Sequence, residues 1–132
     1  MKNTVVLVDD NKILLELCVV VLKKQGFNVE SFNEVKKAKE FLLAADANSI
    51  RAIISDLIMS PTDGLDFLSF VRSIPALGQI DFFLMTGSLA AVFEPYYRPY
   101  NIKGIIHKPF NAPDLINALA ERDKTFFLKG AA

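Results

Sequence analysis

The stretch Ala52-Ile53-Ile54-Ser55-Asp56 decides the fold. A short apolar run stops on a carboxylate, and the loop Leu57-Ile58-Met59-Ser60-Pro61-Thr62-Asp63-Gly64 follows it. Four to eight apolar residues bounded by turn signals mark a strand buried on both faces. Three other runs end in the same manner. Thr4-Val5-Val6-Leu7-Val8 stops at Asp9-Asp10, Ile80-Asp81-Phe82-Phe83-Leu84-Met85 stops at Thr86-Gly87, and Gly104-Ile105-Ile106-His107 stops at Lys108-Pro109. In an open parallel sheet the ligand crevice lies outside the carboxyl ends of the strands. As neighbours in one sheet, these runs deliver three carboxylates, a hydroxyl and an ammonium to a single rim.

Between the runs the pattern turns helical. Asn11 can cap a helix that runs to about Gln25, where Gly26 supplies a left-handed stop. A helical wheel places Leu14, Leu17, Cys18 and Val21 on the core face and Lys12, Glu16 and Lys23 opposite, with Leu15 and Val19 beside the charged stripe. Phe27–Phe32 reads as a second strand, and Asn33 as the cap of a helix from Glu34 to about Ala45. After a polar loop at 46–50 and the strand ending at Asp56, Gly64–Ser73 reads as a helix closed by Pro75. Ser88–Glu94 predicts a short helix broken by Pro95 and Pro99, because each proline removes a donor and restricts the residue before it. A last helix, capped by Asn111 with Pro113 and Asp114 in its first turn, runs to about Glu121. Five strands alternating with helices imply an α/β fold with a parallel sheet and right-handed crossovers.

Composition narrows the function. At 132 residues the chain is one domain of ordinary size, and 52% hydrophobic residues with 11 Phe fill a substantial core. Lys plus Arg balances Asp plus Glu at 15 each, so charge gives no reason to expect direct nucleic-acid or membrane binding. Neither a signal peptide nor a membrane span is legible, and the single Cys18 has no partner for a disulfide or a metal site. A cytoplasmic protein is the expectation.

The rim residues have a chemistry in common. Asp9, Asp10 and Asp56 form a set of like charges that cannot all ionise cheaply without a cation. Hard oxygen ligands suit Mg²⁺, which takes one or two carboxylates and leaves room for phosphate oxygens. A carboxylate can also serve as a nucleophile and form an aspartyl phosphate. Phosphoryl transfer then needs alignment and charge stabilisation, for which the Lys108 ammonium and Thr86 hydroxyl are suitable groups.

Over residues 4–122 the sequence resembles the receiver domains of two-component response regulators, a CheY-like superfamily. The resemblance rests on Asp9-Asp10, Asp56 followed by Met59 and Gly64, Thr86-Gly87, and Lys108-Pro109-Phe110. It implies a flavodoxin-like (βα)5 doubly wound fold, with a parallel sheet in the order 2-1-3-4-5. It further implies that Asp56 accepts a phosphoryl group from a histidine kinase or histidine phosphotransfer protein. Asp10 and Asp56, with Asp9 through water and the backbone carbonyl of Ile58, would hold Mg²⁺. Thr86, Gly87 and Lys108 would contact the phosphoryl group, and Thr86 would reorient with it. Ile58 and Ser88 occupy the places that tune water access to the phosphoaspartate. Two positions depart from the family: Ser60 stands where proline is usual, and Ile105 where an aromatic switch residue is common. Residues 123–132 then form a short extension with no output domain.

Two rival readings stay open. One is a degenerate receiver that binds partners without phosphorylation. The other is a haloacid-dehalogenase-like phosphatase, but that family needs a second Asp two residues after the nucleophile, and Asn11 and Ile58 stand there. His107 and Cys18 read as structural, Asp63 and Asp66 as loop and first-turn residues. Tyr96, Tyr97 and Tyr100 either cover the sheet edge or meet a partner.

Overall fold

In the computed structural model, residues 2–59, 63–87 and 90–120 and the backbone of 126–128 are described. The strands are β1 (Thr4–Val8), β2 (Asn28–Phe32), β3 (Ile50–Asp56), β4 (Phe82–Thr86), β5 (Gly104–His107) and β6 (Phe126–Leu128). The helices are α1 (Lys12–Lys24), α2 (Val35–Ala44), α3 (Gly64–Ser73), α4 (Ala90–Tyr97) and α5 (Ala112–Ala120). All strand pairs are parallel, in the order β2-β1-β3-β4-β5-β6. The expected 2-1-3-4-5 order is present, and β6 extends it by one strand beyond β5.

Alternation along the strands divides the core in two. Val5, Leu7, Ala52, Ile54, Phe83, Met85 and Ile106 face α1 and α5. Val6, Val8, Ile53, Phe82, Leu84 and Ile105 face α2, α3 and α4. β3 is buried along its whole length, and its middle, Ala52-Ile53-Ile54, is a continuous apolar run rather than an alternation.

Side chains cap three helices, at α1 and α5 as the sequence suggested and at α3 through Asp63, which had read as a loop residue. The backbone N–H of Leu14 donates to the Asn11 side chain at 3.1 Å, and Gly26 takes φ +92° after the last turn of α1. The N–H of Asp66 donates to Asp63 at 2.9 Å at the start of α3. At α5, Asn111 and Asp114 exchange side-chain-to-backbone bonds of 2.9 and 3.1 Å, a reciprocal cap.

The wheel for α1 is corrected. Leu15, Cys18 and Leu22 are the buried residues, while Leu17 is 57% exposed. Nine of the residues from Ile13 to Leu22 are apolar, so the charged stripe alone did not set the rotation. The cap of α2 is Glu34 rather than Asn33, and it makes no side-chain capping bond. Pro95 does not break α4, which continues to Tyr97 before a 3-10 turn at Arg98–Tyr100. Only two residues of α4 follow the proline, so the disruption stays local to the helix end.

The amino-end rim of the sheet is fastened by two arginines. Arg72, in the last turn of α3, donates to the carbonyls of Tyr100, Gly78, Ile80 and Asn101 at 2.7 to 3.2 Å. Arg51, buried near the start of β3, pairs with Asp81 at 3.4 Å and donates to the Leu119 carbonyl in the last turn of α5. No helix among the described residues is long and apolar enough to cross a membrane.

Candidate functional site

Register brings the candidate residues to one level. Val8 lies beside Ser55 across β1 and β3, so Asp9 and Asp56, each one residue further on, emerge together. Asp56 lies beside Met85, and Thr86 beside His107, which places Lys108 one residue above Thr86's neighbour. Backbone bonds hold the strand ends at this level: Leu57 N–H donates to the Met85 carbonyl at 2.8 Å and Lys108 N–H to the Thr86 carbonyl at 2.7 Å.

Asp9, Asp10 and Asp56 each offer an oxygen within 4.8 Å of the others. Asp9 and Asp56 are buried, at 1% and 8% exposure, while Asp10 is open to solvent. Lys108 bridges the two buried carboxylates, with Nζ 3.0 Å from Asp9 and 3.2 Å from Asp56. Asp9 also accepts the N–H of Asn11 at 2.9 Å, which fixes its rotamer. Burial, then the charge of Asp9, push the Asp56 carboxyl up to about 6, although Lys108 opposes both. Burial pulls the Lys108 ammonium down, but the hydrogen bond from Lys108 to Asp9 and the charges of both carboxylates outweigh it, and its pKa rises.

Three carboxylates against one ammonium leave the pocket short of positive charge. Two buried acids and one exposed acid, all hard oxygen donors, form a donor set that fits a divalent cation with open positions. Among the described residues this is the one group of three His, Cys, Asp or Glu side chains close enough to hold an ion.

Gly64 shows why the sequence needs a glycine eight residues after Asp56. Its N–H donates to the Leu57 carbonyl at 2.8 Å, and a Cβ there would collide with the Asp56 carbonyl oxygen and lie 2.9 Å from the Leu57 Cα. The helix start is therefore pressed against the end of β3. At Gly87, by contrast, no atom of the described residues lies within 4 Å of where a Cβ would sit. Ile58 is 48% exposed beside the pocket, and Ile105 is buried in the core among α2, α3 and α4. Thr86 is buried at the end of β4, and His107 is half-buried next to it in β5. Ser60 and Ser88 lie outside the described residues. Of the three tyrosines, Tyr97 is buried and Tyr96 exposed.

Sequence reasoning did not anticipate Arg51 or Arg72. A signal existed for Arg51: an arginine opening an apolar strand, with Asp81 at the matching start of the next. Arg72 pairs with backbone carbonyls, which leave no trace in a sequence.

The family described as response regulator receiver domain matches residues 5–120. The probable transcriptional regulator ycf29 of Porphyra purpurea is 27% identical over 121 residues, covering 90% of this chain and 56% of the relative. The chain thus spans just over half the length of that relative. The chemotaxis response regulator CheY4 of Vibrio cholerae superposes with a TM-score of 0.82 at 22% identity, covering 91% of this chain and 98% of its own. A response regulator receiver protein from Pseudomonas putida gives 0.83 at 20% identity, covering 92% and 98%. These likenesses establish the fold, and the family match, which takes in all but the margins of the chain, establishes kinship: the chain belongs to the response regulator receiver domains of two-component signalling.

Proposed function

We propose that Asp56 is a phosphoacceptor, taking a phosphoryl group from a phosphohistidine on a histidine kinase or phosphotransfer protein in the cytoplasm. The observation that carries this reading is the pocket itself: three carboxylates within 4.8 Å of one another, two of them bridged by a single lysine. In the transfer the histidine N–P bond breaks, a bond forms between phosphorus and an Asp56 oxygen, and the electron pair stays on the imidazole. Asp9, Asp10 and Asp56, with the carbonyl of Ile58, are the residues that would hold Mg²⁺. When bound, Mg²⁺ supplies positive charge for the phosphoryl oxygens and relieves the repulsion among the acids. Lys108 lies against Asp56 and neutralises charge on the acceptor side. Thr86 and Gly87 complete the phosphoryl contacts, and phosphorylation shifts the population between two partner-binding surfaces. Residues 4–122 act as this module, and 123–132 as an extension of it.

Ile58, exposed and apolar beside the acceptor, slows the approach of water and lengthens the life of the phosphoryl group. The phosphatase alternative loses ground at Asn11, whose side chain is spent capping α1 where that chemistry needs a general acid.

The test is intact mass after incubation with acetyl phosphate, in Mg²⁺ and in chelator, for wild type and Asp56→Asn. A phosphoryl adduct that requires both Mg²⁺ and Asp56 is expected. No adduct in a wild type that still binds metal would overturn the reading and favour a module that works without phosphorylation.

A further inference from the structure

Five parallel connections can be compared for hand. The path from β1 to β2 moves toward one edge with α1 on one face, and the path from β2 to β3 moves back with α2 on the other. The β3-α3-β4 and β4-α4-β5 units continue outward with their helices on that second face. These four share one hand. The fifth does not: β6 lies outward of β5, yet α5 packs on the first face beside α1, through Leu115, Ala118 and Leu119. Parallel crossovers within one sheet are right-handed in about 98% of cases, because the strand twist directs the chain back that way. A left-handed β5-α5-β6 unit is therefore the feature of the fold that needs explaining.

The position of α5 is fixed. It contributes three buried residues to the core, and Arg51 grips its last turn at the Leu119 carbonyl. The strand is the replaceable part, joined to β5 among the described residues through the pairs Gly104–Phe126, Ile105–Phe127 and Ile106–Leu128. Without it, β5 would present a row of unpaired N–H and C=O groups, which invites another strand.

We propose that the outer edge of β5 is an exchange site between two copies of this chain, each lending residues 126–128 to the other's sheet. When β6 comes from a second copy, it occupies the same ladder without being tied to that β5 by a crossover, and the rule of hand no longer applies. Fully extended, the five residues between α5 and β6 can span roughly 17 Å. Phe126-Phe127-Leu128 has the aromatic and apolar composition that favours strand addition. A reciprocal exchange closes at two copies.

Sedimentation velocity on the full chain, without phosphodonor, from low to high micromolar concentration tests this. The wild type is compared with Phe126→Pro/Phe127→Pro, which removes a ladder donor whichever of the two residues points its N–H at β5. A second pair, Phe126→Gly/Phe127→Gly, keeps the donors, weakens strand formation and decides the matter should the proline pair misfold. The expected result is a wild-type dimer whose dissociation constant rises at least about tenfold in the variants. A wild type that stays monomeric throughout would overturn the proposal, since the strand would then serve its own β5. A dimer of undiminished affinity in the glycine pair would overturn it equally, by placing the contact on another face.

Discussion

The two rims of the sheet treat charge in opposite ways. At the amino-end rim, Arg72 spreads its guanidinium over four backbone carbonyls, and Arg51 joins Asp81 and the end of α5. Those partners are part of the fold and cannot leave. At the carboxyl-end rim, three acids cluster with one lysine, which pairs with the two that are buried. One rim is satisfied from within the chain; the other is left with a charge deficit that a cation and a phosphoryl group can fill. The difference separates scaffold from site without reference to any relative.

Breaking the satisfied rim should have the largest effect on stability. Arg72→Met removes four charged hydrogen bonds and strands their carbonyls, and we expect a loss of about 3 kcal/mol by urea denaturation. A loss near zero would mean that water replaces the guanidinium freely there. Arg51→Met removes the tie between β3, Asp81 and α5, with an expected loss of about 2 kcal/mol by the same measurement. If it proved neutral, the apolar contacts of α5 alone would account for its placement.

The unsatisfied rim should respond in the other direction. In chelator, Asp56→Asn should melt above wild type at neutral pH, since it removes a buried charge from a crowded acidic pocket. Asp56 has its folded pKa raised from 3.8 to about 6, so folding takes up a proton within that window. Wild type therefore loses stability relative to the variant as pH climbs from about 4 to about 6, and the gap closes below it. Thermal melts of both proteins across this range would check it, and a gap independent of pH would refute the buried-charge account. The smallest effect is kinetic: Ile58→Asn should shorten the life of a phosphorylated Asp56 several-fold, measured as loss of the adduct over time, with stability unchanged. An unaltered rate would remove Ile58 from the control of water.

Much of this contrast was legible beforehand, and the reasons are physical. Strands buried on both faces appear as unbroken apolar runs, so their ends, and the acids on them, could be located. Helix caps at Asn11 and Asn111 were readable because their side chains bond within three residues, whereas Asp63, read as a loop residue, turned out to cap α3. What depended on distance in sequence was not. The rotation of α1 was misjudged because its surface is apolar almost all round, so only the facing strands determine that Leu15 enters the core and Leu17 does not. Strand β6 escaped notice because three apolar residues after a charged segment resemble any surface run. Glycine at position 64 was recognisable from the resemblance, but its cause, the Asp56 carbonyl oxygen standing where a Cβ would go, belongs to the folded chain.

That contact has a consequence for redesign. The Gly64 N–H and the Leu57 carbonyl close the turn after the acceptor like a clasp, with both ends anchored in β3 and α3. Doubling the length of a loop held at both ends costs only about 0.6 kcal/mol in closure entropy. Foreign peptides, including recognition tags or sensor elements, could thus be spliced between Met59, which is buried in the core, and Asp63, which caps α3, while the Leu57–Gly64 bond keeps the turn after the acceptor closed.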